Sequence, residues 1–260
     1  MNDVTYSDLR SKVILVTGGN SGIGLACVEA LLSQGCAIAV GDLHRNALDE
    51  LASTLPESER HRLTVSRVDV SSQESVDDWV RQTRATFGSV DGVVASAGIE
   101  PIADREVHLL PEDIWSRTLG VNLTGVFHTC KSAVATIIED ENPASIVIIG
   151  SPTGYFGGEL GHHAYSASKG GLVGLGRVMA NEYIQREIRV NIVWPGLIDT
   201  PMNEFITSDA AVFEREMSQI PRRRPGRPAE IAAMVRFLLS DQASYCVGGI
   251  FTVDGGLTAV

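Results

Sequence analysis

Tyr165-Ser166-Ala167-Ser168-Lys169 sets a phenol and an ammonium four positions apart, on one face of any helix that contains both. A phenol with its ordinary pKa of about 10 is a weak base near neutrality. A neighbouring ammonium favours its phenolate, and a phenolate can take the proton of an alcohol. Standing alone, such a pair is an ordinary feature of a solvated helix, so its meaning rests on what accompanies it.

Thr17-Gly18-Gly19-Asn20-Ser21-Gly22-Ile23-Gly24 follows a short aliphatic run and opens a helical stretch. Glycines there let the backbone turn sharply and admit phosphate oxygens to the amides, while the free N–H groups of a helix start supply positive charge. The spacing is G-x-x-x-G-x-G, and its position between strand and helix suits a dinucleotide pyrophosphate. A bound nicotinamide ring would carry positive charge and favour a Tyr165 phenolate further. Asp42 closes the second strand, where a carboxylate can accept hydrogen bonds from both adenosine ribose hydroxyls and repel a 2′-phosphate. No Arg or Lys stands inside the glycine loop, although Arg45 is close in sequence, so NAD is expected over NADP. Away from the end of a strand, Asp42 would read as a helix cap or a turn residue. Asp69 after the third strand has an adenine-side role and a turn role about equally open.

The elements that must position these groups are legible as alternating short β-rich runs and longer helical stretches. Strands are predicted at Val13–Thr17, Ala37–Gly41, Leu63–Val68, Gly92–Ala95, Ser145–Gly150, Arg189–Val193 and Ile250–Val253. Helices are predicted at Gly22–Gln34, Ala47–Thr54, Gln73–Phe87, Pro111–Glu139, Ala164–Arg186 and Pro228–Leu239. Several strands are apolar throughout, as when helices cover both sheet faces. The expected fold is α/β: one doubly wound Rossmann domain over 1–260, with a seven-stranded parallel sheet. Residues 201–227 mix apolar residues with Pro and Arg and are expected to form a substrate-covering flap within it.

With 260 residues and 44% hydrophobic content, the chain can bury an ordinary globular core. A net charge of −11 disfavours nucleic acid and membrane surfaces as partners. The polar opening segment lacks the apolar core of a secretory signal, and no aliphatic run approaches a membrane span. Cys27, Cys36, Cys130 and Cys246 are scattered without metal spacing, which fits free thiols in the cytoplasm.

Taken jointly, the glycine loop, Asp42, Asn122 in Val121-Asn122-Leu123-Thr124-Gly125, Ser151 ending strand five, Tyr165 with Lys169, Pro195-Gly196 followed by Thr200, and the terminal Val253-Asp254-Gly255-Gly256 resemble the short-chain dehydrogenase/reductase family over nearly the whole chain. The resemblance implies that Tyr165 is the general acid/base and that Lys169 lowers its pKa and binds the nicotinamide ribose. Ser151 would stabilise the reacting oxygen, and Asn122 would hold a relay water. Pro195, Gly196, Ile198 and Thr200 would line the nicotinamide. Gly18, Asn20, Ser21, Gly22, Ile23, Gly24, Asp42, Leu43, Asp69, Val70, Ala97, Gly98, Tyr165 and Lys169 complete the expected cofactor contacts. A homotetramer built on the helices 111–139 and 164–186 is also implied.

Two departures from the family pattern stand out. Ser151 lies one residue further from Tyr165 than is usual, with Thr153 as an alternative hydroxyl. Ala95-Ser96-Ala97-Gly98 replaces Asn-Asn-Ala-Gly, which removes an asparagine that ties strands together. Ser151, Thr153, Tyr155, Leu160, Tyr165, Met202 and Phe205 are the candidate substrate contacts. Trp194 and Phe213 are further apolar candidates, with core packing an equal alternative. His162 and His163 near Glu159 read as a polar loop at the pocket mouth in preference to a metal site, and Arg222-Arg223-Arg224 with Arg227 as a solvated loop.

The expected activity is NAD-linked interconversion of a hydrophobic or cyclic secondary alcohol and its ketone. An NADPH-dependent 3-oxoacyl thioester reductase is the alternative enzyme, and a non-catalytic dinucleotide sensor or scaffold the alternative outside catalysis.

Overall fold

A computed structural model describes residues 4–157 and 162–259. Its described residues form a parallel sheet of β1 (Val13–Thr17), β2 (Ala37–Asp42), β3 (Leu63–Arg67), β4 (Gly92–Ala95), β5 (Ala144–Ile149), β6 (Ile188–Pro195) and β7 (Ile250–Val253), in the order β3-β2-β1-β4-β5-β6-β7. The helices are α1 (Gly22–Ser33), α2 (Asn46–Thr54), α3 (Glu57–Arg60), α4 (Gln73–Phe87), α5 (Glu112–Leu119), α6 (Gly125–Asp140), α7 (Thr153–Phe156), α8 (His163–Tyr183), α9 (Glu204–Thr207), α10 (Ala210–Gln219) and α11 (Pro228–Leu239).

Every residue of β1, β4, β5 and β6 is buried, as in strands covered on both faces, and β1 and β4 accordingly read as almost wholly apolar runs. One core joins α4, α6 and α8 to the sheet through Trp79, Val134, Ile137 and Leu172, while the other packs α1 and α11 on the opposite face through Leu31, Val235 and Leu238. The chain winds outward from β1 in both directions, so loops leaving the carboxyl ends of β1 and β4 diverge and open a crevice there, the usual ligand position in such sheets.

One expectation is corrected. The single helix predicted over Pro111–Glu139 is α5 and α6 joined by a π-turn at Gly120–Thr124, where the Gly125 N–H bonds back to the Gly120 carbonyl. The one extra residue re-aims Asn122 without breaking the helical path. The segment 201–227 is mostly helical, built from α9 and α10; Asp209 caps α10 by accepting from the Ala211 and Val212 amides.

Candidate active site

At the dinucleotide end, β1 runs into Gly18, whose φ of 68° is open to glycine at little cost, and the Gly18 N–H donates to the Gly41 carbonyl at 2.9 Å. A Cβ on Gly24 would lie 2.1 Å from the Gly18 oxygen, so the first turn of α1 presses directly on the loop. This bare-backbone cradle at a helix start fits a pyrophosphate. Asp42 lies at the carboxyl end of β2 and lines the cavity, its two oxygens accepting from the Asn20 amide at 3.0 Å and the His44 amide at 2.9 Å. Asn20 itself does not line the cavity: its side-chain oxygen accepts from the Ala47 amide at 3.1 Å, which ties the loop to α2. Arg45 is turned into an ion pair with Asp49 at 2.8 Å. The asparagine missing from Ala95-Ser96-Ala97-Gly98 has a substitute in Thr17, whose hydroxyl accepts from the Ser96 and Ala97 amides at 3.1 and 3.2 Å and joins β1 to the end of β4.

A cavity of about 1120 Å³ runs from this loop to Ser151, Tyr165 and Lys169. Ser151, 7% exposed, stands 2.9 Å from the Thr153 hydroxyl and lines the cavity beside Tyr165. Lys169 is 4% exposed; its Nζ donates to the Ile149 carbonyl at 2.9 Å and lies 5.6 Å from the centre of the Tyr165 ring. Burial brings the Lys169 pKa down to about 8, opposed by the charge of Glu100. Burial and then Glu100 hold the Tyr165 phenol above its ordinary range, opposed by the Ser151 hydroxyl. The arrangement therefore keeps the phenol protonated until more positive charge arrives beside it.

Asn122, fully buried in the π-turn, accepts from the Ile99 amide at 2.8 Å and donates to the Ile99 carbonyl at 2.9 Å and the Ser168 hydroxyl at 3.1 Å. Both its amide hydrogens are committed to protein partners. It thereby clamps the loop after β4 against α8. Asp104 adds a second clamp: 4% exposed, it accepts from the His163 amide and the Tyr165 amide, each at 3.0 Å. The helix has no side-chain cap of its own at His162, so this buried carboxylate caps the turn that carries Tyr165.

Most predicted contacts meet in this cavity: Gly18, Ser21, Gly22, Ile23, Gly24, Leu43, Asp69, Val70, Ala97, Gly98, Pro195, Gly196, Ile198, Thr200, Thr153, Met202 and Phe205 line it beside the groups above. Tyr155 does not; it is 74% exposed, and its ring lies 6.1 Å from Trp194, which sits outside the lining too. The neighbouring Phe156 takes the pocket position instead. Phe213 is likewise off the lining, whereas Val212 is on it. Leu160 and Glu159 lie outside the described residues. Ile99, Glu100 and Phe156 were missed as lining residues, whereas His162, expected in the loop at the pocket mouth, is among them; the position of Ile99 and Glu100 directly after Gly98 was the available signal.

A family sequence profile described as "Enoyl-(Acyl carrier protein) reductase" matches residues 18–258. The chain is also 35% identical over 252 residues to the 3-oxoacyl-[acyl-carrier-protein] reductase FabG of Thermotoga maritima, covering 96% of this chain and 98% of that one. A crystal structure of a short-chain dehydrogenase/reductase (SDR:Glucose/ribitol dehydrogenase) from Brucella melitensis superposes with a TM-score of 0.88 at 32% identity, covering 98% of this chain and 99% of that one. The chain belongs to the short-chain dehydrogenase/reductase family. A further member, the cis-4-hydroxycyclohexanecarboxylate dehydrogenase of Sinomonas cyclohexanicum, is 38% identical over 250 residues, 96% of this chain and 97% of that one. Short-chain dehydrogenases/reductases are oxidoreductases that bind a nicotinamide dinucleotide, and the bare glycine cradle of this chain fits such a group. Among the described residues no helix is long and apolar enough to cross a membrane.

Proposed function

We propose that this short-chain dehydrogenase/reductase interconverts a hydrophobic or cyclic secondary alcohol and its ketone with NAD. The carrying observation is that Ser151, Tyr165 and Lys169 converge on one cavity whose far end is closed by Asp42. The dinucleotide supplies the hydride acceptor when bound. Ser151 hydrogen-bonds the reacting oxygen, the Tyr165 phenolate takes the hydroxyl proton, and the Lys169 ammonium supports that phenolate. Gly18, Ser21, Gly22, Ile23 and Gly24 hold the pyrophosphate, Asp42 the adenosine ribose, and Pro195, Gly196, Ile198 and Thr200 the nicotinamide side. The pairing of Arg45 with Asp49 supports NAD over NADP, because it removes a nearby cation from 2′-phosphate recognition.

Met202, Phe205, Ile206 and Val212 from the 201–227 segment give the cavity an apolar wall suited to a carbon ring. In the same reading that segment is a flap within a single catalytic domain, and the enzyme works as a homotetramer in the cytoplasm. The exposed Trp115, Phe127 and Val178 on α5, α6 and α8 support subunit contacts there.

The second reading, an NADPH-dependent reductase of 3-oxoacyl thioesters, is favoured by the likeness to the Thermotoga reductase. Steady-state kcat/KM measured with NAD and NADP on cyclic secondary alcohols, and with NADH and NADPH on a 3-oxoacyl thioester, separates the two. Strong NADPH preference with the thioester overturns the first reading, and no turnover with any pair favours a dinucleotide sensor.

A further inference from the structure

Glu100 stands where a carboxylate works against the chemistry. It lines the reactive cavity, its side chain is 17% exposed, and its charge raises the pKa of both Tyr165 and Lys169. Its Oε1 lies 2.7 Å from His162 Nδ1, which sets the loop after β4 against the residue preceding α8. Phe156, Met202 and Phe205 line the same cavity and give it apolar surface. A cavity with apolar surface and one carboxylate near the proton-transfer group suits a ring that carries a hydrogen-bond donor beyond the reacting carbinol. A hydroxyl donating to Glu100 makes a charge-assisted bond in a partly dry site and spreads the negative charge that otherwise opposes the phenolate.

We propose that Glu100, held by His162, is a specificity-determining residue that accepts a hydrogen bond from a second hydroxyl of the substrate, so that a neutral diol is preferred over the same ring without that donor. This rests on the alcohol-oxidising reading above and adds the polar half of the substrate to it.

The test compares cyclohexanol, the cis and trans 1,2- and 1,4-cyclohexanediols, their monomethyl ethers and 2-aminocyclohexanol, each with NAD and with NADP. A monomethyl ether keeps the oxygen and removes the donor. In the wild-type enzyme the best diol is expected to exceed its own ether by at least about tenfold in kcat/KM, as a hydrogen bond to a charged acceptor allows. In Glu100→Gln that ratio is expected to fall below about threefold. A wild-type ratio near one, a ratio preserved in Glu100→Gln, or a preference for the amino alcohol over every diol overturns the proposal. The wild-type ratio stands as a test even where the variant does not fold. Turnover of cyclohexanol without diol preference removes this proposal alone; no turnover of any alcohol with either dinucleotide removes the alcohol-oxidising reading and this proposal with it.

Discussion

Replacing Lys169 by Met removes a buried charge that lies 5.6 Å from the centre of the Tyr165 ring, while keeping a side chain of similar length. Two unit charges about 6 Å apart interact by about 3 kcal/mol at an effective dielectric of about 20. At 1.36 kcal/mol per unit, the loss raises the phenol pKa by about two units, which lowers the phenolate fraction, and with it the oxidation rate, about 100-fold near neutral pH. The deficit has a defined pH dependence. The Lys169 ammonium titrates at about 8, so its support for the phenolate is present below that pH and fades above it. The ratio of wild-type to Lys169→Met kcat, measured at saturating dinucleotide by nicotinamide absorbance from pH 6 to 10, is therefore expected to be largest at the acid end and to shrink through pH 8. Saturation matters because the same amine is assigned a contact with the nicotinamide ribose. A ratio within threefold at pH 7, or one that stays flat across the range, refutes the electrostatic role.

Tyr165→Phe is expected to lower turnover by about 10²–10⁴, the worth of a general base, with dinucleotide affinity by calorimetry changed less than threefold. Gly24→Ala should abolish stabilisation by added NAD in a thermal melt, because the new methyl group meets the Gly18 oxygen at 2.1 Å. Asp104→Ala deletes two hydrogen bonds to a buried carboxylate, each worth about 1.5–3 kcal/mol, and is expected to lower Tm by several degrees. Asp104→Asn keeps one accepting oxygen and should fall between the two, with kcat reduced more than the dinucleotide KM because the capped turn carries Tyr165.

What the sequence made legible follows from how local each cause is. The buried run Val13–Thr17 and the four-residue step from Tyr165 to Lys169 are written in neighbouring residues, and sheet and helix realise them directly. The π-turn at Gly120–Thr124 has no such signature: its extra residue is accommodated because Asn122 finds partners on Ile99 and Ser168, which only the folded chain brings near. Asp104 was missed for the same reason, since the amides it caps belong to His163 and Tyr165 in the first turn of α8. The helix α10 is different. Asp209 before Ala210-Ala211-Val212 is a readable cap, and the surrounding Pro and Arg residues drew attention away from it. Tyr155 and Phe156 are adjacent aromatics on one short turn, so composition alone could not assign which ring faces the cavity.

The electrostatics of the site also account for both directions of one reaction. Burial and Glu100 keep the phenol protonated in the unliganded protein, and Lys169 alone does not reverse this. In the proposed reaction an oxidised nicotinamide would supply positive charge beside Tyr165, and the phenol would then be able to act as base. A bound reduced nicotinamide brings none. In the proposed reaction the phenol would then stay protonated and donate to a carbonyl oxygen hydrogen-bonded by Ser151. In the proposed reaction the same phenol thus acts as base or acid according to the charge of the ring beside it, and the carboxylate of Glu100 sharpens the difference by opposing the phenolate until that charge arrives.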